Sequence, residues 1–197
     1  MRLLASDGRL RAIAAAMLLP QVVHRLLENL LLPVYAKTAL GVEYLAPALL
    51  TASNAGELLG ASLLIRYAAK IPDSYRWVRW GAYGGLAAWA MSFAFSFGLS
   101  GVWGFAAVAL PVLVMSTTWA ASHLSLETEV QNRVAPRLQP RVFGLLFSAY
   151  VVASAGASYF VGRLIDGLTL GPGLLAVNAA FAAVAVIAWL AAGRLKR

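Results

Sequence analysis

Residues 10–37, LRAIAAAMLLPQVVHRLLENLLLPVYAK, form an apolar run that is interrupted by polar side chains near its middle. A helix needs about 20 residues to cross roughly 30 Å of hydrocarbon, and this run is long enough to do so. Its interior nevertheless carries His24, Arg25, Glu28 and Asn29. A charged side chain at mid-bilayer costs at least about 2.5 kcal/mol, so we expect these groups to face protein or a water-filled cavity.

The composition of the whole chain is typical of an integral membrane protein. Of its 197 residues, 61% are hydrophobic and 12% are charged, and the mean hydropathy is +0.75. One water-soluble domain of this size does not bury so much apolar surface. The net charge of +8 comes from basic residues that lie between apolar segments, which argues against nucleic-acid binding. The absence of cysteine excludes disulfides and thiolate chemistry.

The pattern of a membrane-spanning helix fits the chain six times. We expect spans at residues 12–35, 46–67, 79–98, 102–125, 141–164 and 172–192, with a short segment at 1–11 before them and a basic tail at 193–197 after them. Proline and glycine residues separate the spans, as at Pro72 and Pro136. The sequence therefore predicts an all-α membrane domain of six helices.

The basic residues predict the orientation, because arginine and lysine near span ends are retained on the cytoplasmic side. With both termini cytoplasmic, thirteen of the sixteen basic residues lie on that side: Arg2, Arg9, Arg11, Arg66, Lys70, Arg76, Arg79, Arg133, Arg137, Arg141, Arg194, Lys196 and Arg197. The outer side keeps Lys37 and Arg163, and Arg25 lies within the first span. The high arginine and alanine content is typical of a GC-rich bacterial genome, so we expect the bacterial inner membrane.

Two similar stretches indicate an internal repeat. GELLGASLLIR at 56–66 and ASAGASYFVGR at 153–163 share Gly-Ala-Ser followed by an apolar stretch and an arginine. They lie in the second and fifth spans, an offset of three, so they run in opposite directions across the bilayer, as in an inverted three-plus-three repeat. Small residues at helical spacing allow neighbouring helices to approach closely, and we expect this packing role for Gly56, Gly60, Gly156 and Gly162.

The stretch at 126–167 reads LETEVQNRVAPRLQPRVFGLLFSAYVVASAGASYFVGRLIDG. It resembles the loop between the tenth and eleventh helices of the major facilitator superfamily, especially its bacterial drug and siderophore exporters. The matching positions are Gln131, Pro136, Arg141, Val142, Phe143 and Gly144. We expect a cytoplasmic loop motif formed by Gln131, Arg133, Pro136, Arg141 and Gly144. The family commonly has glycine where this chain has Pro140, and the loop motif typical of the family's first half is absent.

The resemblance covers nearly the whole chain, but only as the C-terminal six-helix half of such a transporter. It implies export of small amphipathic compounds by alternating access between two halves, with the lipid bilayer and a small-molecule substrate as partners. A single half supplies half of a binding site. The second half is then another chain, a second copy of this one, or a further part of a longer protein.

The polar residues within the spans are the candidate site. Gln21, Arg25 and Glu28 follow helical spacing in the first span, and Asn54 and Glu57 share a face of the second. The resemblance implies that the first span lines the central cavity. We therefore expect a substrate and proton pathway along seven residues: Gln21, His24, Arg25, Glu28, Asn29, Asn54 and Glu57.

Other interpretations remain open from the sequence. Arg25 paired with Glu28 or Glu57 would also hold two helices together without any proton movement, and a membrane scaffold that never transports is the alternative function. His123 and Glu127 are four apart but lack enough further ligands for a metal site, so we expect no metal and no cofactor. No motif of an intramembrane enzyme is present, so we do not expect catalysis.

Overall fold

The computed structural model describes residues 8, 14, 18, 21, 22, 24–38, 45–70, 77, 101–167, 176, 179 and 183. Nearly all of these are helical and none is in a strand, which confirms the all-helical prediction for this part of the chain. The predicted span at 79–98 and the tail at 193–197 lie outside the described residues, as do most of 1–11 and of 172–192. Six spans and an inverted repeat therefore stay predictions.

Four α-helices make up most of the described structure. Helix α1 covers Leu32–Thr38, α2 covers Leu45–Tyr67, α3 covers Gly101–Arg133 and α4 covers Gln139–Gly167. A π-helical turn at Leu27–Leu31 precedes α1, and a 3₁₀ turn at Pro136–Leu138 precedes α4. Among the described residues, three helical stretches are long and apolar enough to cross a membrane, namely α2, α3, and the 3₁₀ turn together with α4.

Pro33 accounts for the π turn that precedes α1. Proline has no N–H, and its ring clashes with the carbonyl group four residues earlier, here that of Asn29. A wider turn relieves this clash, and the N–H of Leu32 accordingly donates to the carbonyl oxygen of Leu27, five residues back. The turn contains Glu28, so the irregular backbone lies within the candidate site.

A proline and a glutamine determine where α3 ends. The residue before a proline is disfavoured in helical conformation, and Ala135, which precedes Pro136, is extended with ψ of 135°. The Gln139 side chain then donates hydrogen bonds to the carbonyl oxygens of Gln131 and Val134, both at 3.0 Å. One side chain thus satisfies two carbonyl groups at this helix end and joins α3 to α4.

Helix α3 is longer than a membrane is thick. At about 1.5 Å per residue its 33 residues extend about 50 Å, against roughly 30 Å of hydrocarbon. Its last two turns carry Glu127, Glu129 and Arg133, and Glu129 accepts a hydrogen bond from Arg133 at 2.6 Å. This end of α3 is polar enough to project into the headgroup region.

Glycines bring α2 and α3 into backbone contact. A Cβ atom added at Gly56 would lie 2.5 Å from the carbonyl oxygen of Leu113, and one added at Gly60 would overlap that of Thr117. Only glycine permits this approach, because the obstacle is backbone and cannot rotate away. Among the described residues, nothing lies within 4 Å of a Cβ at Gly156 or Gly162, so their predicted packing role stays a prediction.

Apolar side chains fill the space between these helices. A buried cluster joins the π turn and α1 to α2 and α3, and its members include Leu27, Leu31, Leu49, Val112 and Met115. Tyr35 is also buried there and donates a hydrogen bond to the carbonyl oxygen of Gly104 at 3.0 Å. The cluster fixes the depth at which the polar residues before α1 meet α2 and α3.

We predict that Gly60→Ala destabilises the protein by about 1–3 kcal/mol, because its methyl group would collide with backbone of α3. Thermal unfolding in detergent, followed by circular dichroism, measures the change. Gly156→Ala is the matched control, since its methyl group meets nothing among the described residues and alanine favours a helix. Equal melting temperatures for the two variants would contradict the backbone contact.

Candidate functional site

His24 is the centre of the polar site, and it lies between carboxylates from two elements. Its side chain is 2% exposed. Its Nδ1 lies 3.6 Å from Glu28 Oε2 within the same segment, and its Nε2 lies 3.4 Å from Glu57 Oε1 on α2. The side chain of Glu28 is 10% exposed and that of Glu57 is 37% exposed. The arrangement places three ionisable groups together among apolar helices.

Two serine hydroxyl groups hold this cluster in place. Ser53 on α2 donates to Glu28 Oε1 at 3.0 Å, and its oxygen lies 2.8 Å from that of Ser116 on α3. Ser116 Oγ in turn lies 3.4 Å from Nε2 of His24. Each of the three helical segments therefore contributes a polar group to one connected network.

Arg25 is the cation beside this network. Its Nη1 lies 3.4 Å from Glu28 Oε2, and its Nε donates a hydrogen bond to Tyr150 Oη on α4 at 2.6 Å. The sequence left open whether Arg25 pairs with Glu28 or with Glu57, and the structure contains the pair with Glu28. Glu57 instead approaches His24.

An aromatic stack extends the site along α3. The imidazole of His24 lies parallel to the indole of Trp119, with ring centres 4.0 Å apart, and Trp119 stacks on His123 at 5.0 Å. His123 Nε2 then lies 3.2 Å from Glu127 Oε1. The stack connects the buried cluster to a second, more exposed histidine–carboxylate pair.

Two pockets adjoin the stack, and His123 lines both. The first has a volume of about 290 Å³ and lies against α3 and α4; its lining includes Gln21, His123, Glu127, Phe143, Leu146, Phe147 and Tyr150. The second has a volume of about 480 Å³ and lies between α2 and α3; its lining includes Asn54, Glu57, Leu58, Trp119, His123 and Leu124. Both combine apolar walls with a few polar groups, as small-molecule sites do.

The structure brings most of the predicted pathway residues together, but not all of them. His24, Arg25, Glu28 and Glu57 are in direct contact. Gln21 lines the first pocket, where its Oε1 is buried with no hydrogen-bond partner among the described residues. Asn54 lines the second pocket. Asn29 is exposed and belongs to neither pocket.

The five residues predicted as a loop motif lie at the junction of α3 and α4: Gln131, Arg133, Pro136, Arg141 and Gly144. Arg133 pairs with Glu129, and the carbonyl oxygen of Gln131 accepts a hydrogen bond across the junction. The side chain of Arg141 and the backbone of Gly144 are exposed. Their contacts join two helices, and any role in transport stays a prediction.

Four residues of the site do not stand out in the sequence. Ser53 and Ser116 are small residues among many in apolar helices, and Trp119 and Tyr150 read as interfacial or core aromatics. Their importance depends on which helix faces pair, and local spacing does not contain that information. The nearest signal was the spacing of Ser53 and Glu57, which places both on one face of α2.

Comparison of the chain with protein-family models, curated proteins and solved structures finds no match in any of the three. Its function therefore has to be inferred from the residues of the site.

We predict that Ser53→Ala destabilises the protein by about 1–3 kcal/mol, because the largely buried Glu28 carboxylate would lose its hydrogen-bond donor. Ser62→Ala is the matched control on the same helix, since the Ser62 hydroxyl bonds only to the carbonyl oxygen of Leu58 one turn earlier. We expect that control to change stability by less than about 0.5 kcal/mol. Chemical unfolding in detergent measures both, and equal losses would show that the network adds no stability.

Proposed function

We propose that this chain is one six-helix half of a secondary transporter of the major facilitator type, which exports small amphipathic compounds by alternating access. It lies in the bacterial inner membrane with both termini cytoplasmic. The observation that carries the proposal is the pocket of about 290 Å³ beside a network of ionisable side chains between apolar helices.

The position of the charges supports a pathway across the membrane. Ionisable residues within spans are costly, and they typically mark routes for ions or substrates. Two helical segments direct such residues to one place here, through His24, Glu28 and Glu57, and α3 adds the hydroxyl group of Ser116. Proton coupling through Arg25, Glu28 and Glu57 stays a prediction from the sequence.

The chemistry of the first pocket supports an amphipathic substrate. Phe143, Phe147 and Tyr150 provide aromatic walls on α4, and His123 with Glu127 provides a polar side on α3. A compound with one apolar and one polar or cationic end would satisfy both surfaces. The pocket volume suits a molecule of a few rings.

The proposal requires a second six-helix half, supplied by a partner chain, by a second copy or by another part of a longer protein. In alternating access two halves rock against each other around a site near the bilayer midplane. The strong bias of basic residues toward one side and the repeated Gly-Ala-Ser stretch, both read from the sequence, support this architecture.

We predict that Phe147→Ala slows export about tenfold at low probe concentration, because a bound compound would lose its contact with this ring and a loss of about 1.4 kcal/mol in binding is tenfold. The measurement is efflux of preloaded ethidium or Nile red from cells of the source organism that lack the gene and carry a variant copy. Phe160→Ala is the matched control. Both phenylalanines lie on α4 with similar exposure, 65% and 72%, but only Phe147 lines the pocket.

We expect deletion of the gene to slow efflux, and wild type or Phe160→Ala to restore it at equal protein levels on immunoblots. Unchanged efflux of both probes after deletion would favour a non-transporting scaffold. Equal effects of the two phenylalanine variants would remove the pocket from the pathway.

A further inference from the structure

We infer that His24, Glu28 and Glu57 form a binding site for a divalent first-row transition-metal ion such as Zn²⁺, Co²⁺ or Mn²⁺. The inference goes beyond the proposed function, because the site depends on contacts within this chain and not on transport. It also differs from the sequence-based expectation that no metal is bound.

The three side chains lie at the separation that ligands of one ion require. One ligand atom from each lies within 4.8 Å of the other two. Zinc binds imidazole nitrogen and carboxylate oxygen at about 2.0–2.2 Å, so two ligands of a tetrahedral ion lie about 3.4 Å apart. One ion binds only one imidazole nitrogen of His24. Nδ1 lies 3.6 Å from Glu28 Oε2, close to this spacing, whereas Glu57 Oε1 lies 3.4 Å from the other nitrogen, Nε2.

A buried ring nitrogen without a partner points independently to a ligand. Nδ1 of His24 has no hydrogen-bond partner among the described residues, although the side chain is 98% buried. Its nearest carboxylate oxygen, on Glu28, is 3.6 Å away, which is beyond hydrogen-bonding distance. An ion between these two atoms would satisfy the nitrogen, and the partly exposed Glu57 carboxylate would turn from Nε2 toward the ion to complete the set of three ligands. Nε2 would keep its contact with Ser116.

The surrounding hydrogen bonds orient the ligand atoms. Ser53 donates to Oε1 of Glu28, so Oε2 lies on the side of His24, where Arg25 Nη1 also contacts it at 3.4 Å. Such supporting contacts orient metal ligands in known sites. Ser53 and Ser116 are themselves in contact, which joins the supports of the carboxylate and of the imidazole.

The charge balance also favours a cation. Two carboxylates, Glu28 and Glu57, border the imidazole. Arg25 contacts only Glu28 in the ion pairs of the described residues, and its Nε is occupied by Tyr150. This single arginine leaves one negative charge of the two carboxylates unbalanced, which attracts a cation to the site.

The donor atoms indicate the class of metal. Mg²⁺ and Ca²⁺ prefer sites made of oxygen alone, whereas imidazole nitrogen together with carboxylate suits Zn²⁺, Co²⁺, Mn²⁺ and related ions. The sequence did not predict the site, because His24 and Glu28 alone provide only two ligands. The third ligand comes from another helix.

The test is metal binding by the purified chain in phosphatidylcholine nanodiscs, with any histidine-containing tag removed. Isothermal titration with ZnCl₂ gives affinity and stoichiometry, and absorption spectra with CoCl₂ report nitrogen and oxygen coordination. We expect one ion per chain and no competition by equimolar MgCl₂. His24→Gln should abolish binding, and Glu28→Gln or Glu57→Gln should weaken it at least tenfold.

Glu129→Gln is the matched control, because it removes a carboxylate of α3 that pairs with Arg133 away from the site. We expect it to bind zinc as the wild type does. Circular dichroism of every variant checks folding, and the partly exposed Glu57 provides a decisive variant if His24→Gln does not fold.

The inference would be overturned if the wild-type chain showed no saturable zinc binding, or if His24→Gln and Glu57→Gln bound with wild-type affinity. Metal binding without probe efflux would contradict the proposed transport alone. Efflux without metal binding would contradict the metal site alone.

Discussion

The backbone contact between α2 and α3 at Gly56 and Gly60 is the constraint on which the site depends. Because these positions have no side chains, the two helices approach closely enough for Ser53 on α2 to touch Ser116 on α3. Glu57, next to one of the glycines, is thereby presented to His24. Larger residues would separate the helices and disconnect the polar network.

Burial among apolar helices explains why the polar groups bind one another. Hydrocarbon offers no hydrogen bonds, so each ionisable side chain in a span requires a partner within the protein. The described part of the chain provides these partners through serine hydroxyls, a tyrosine and neighbouring carboxylates, rather than through a single ion pair. Such a network is costly to assemble merely for helix packing, which glycine and leucine achieve in the same helices.

Local patterns predicted the helical class, and three-dimensional pairing decided the site. Length and hydropathy are properties of continuous segments, so α2 and α3 were recognisable as apolar helices. Helical spacing placed Arg25 and Glu28 on one face, and the structure has them in contact. The central position of His24 and its stack on Trp119 depend on contacts between helices. The π turn depends on Pro33. A regular helical wheel represents neither effect.

The Gln139 side chain has a mechanical consequence. By bonding to two carbonyl groups at the end of α3, it stiffens the short connection to α4, so this corner resists bending. Pro111 lies within α3 and removes one backbone hydrogen bond from that helix. Backbone bonding is thus weakest inside the apolar stretch of α3, whereas side-chain bonding reinforces the corner.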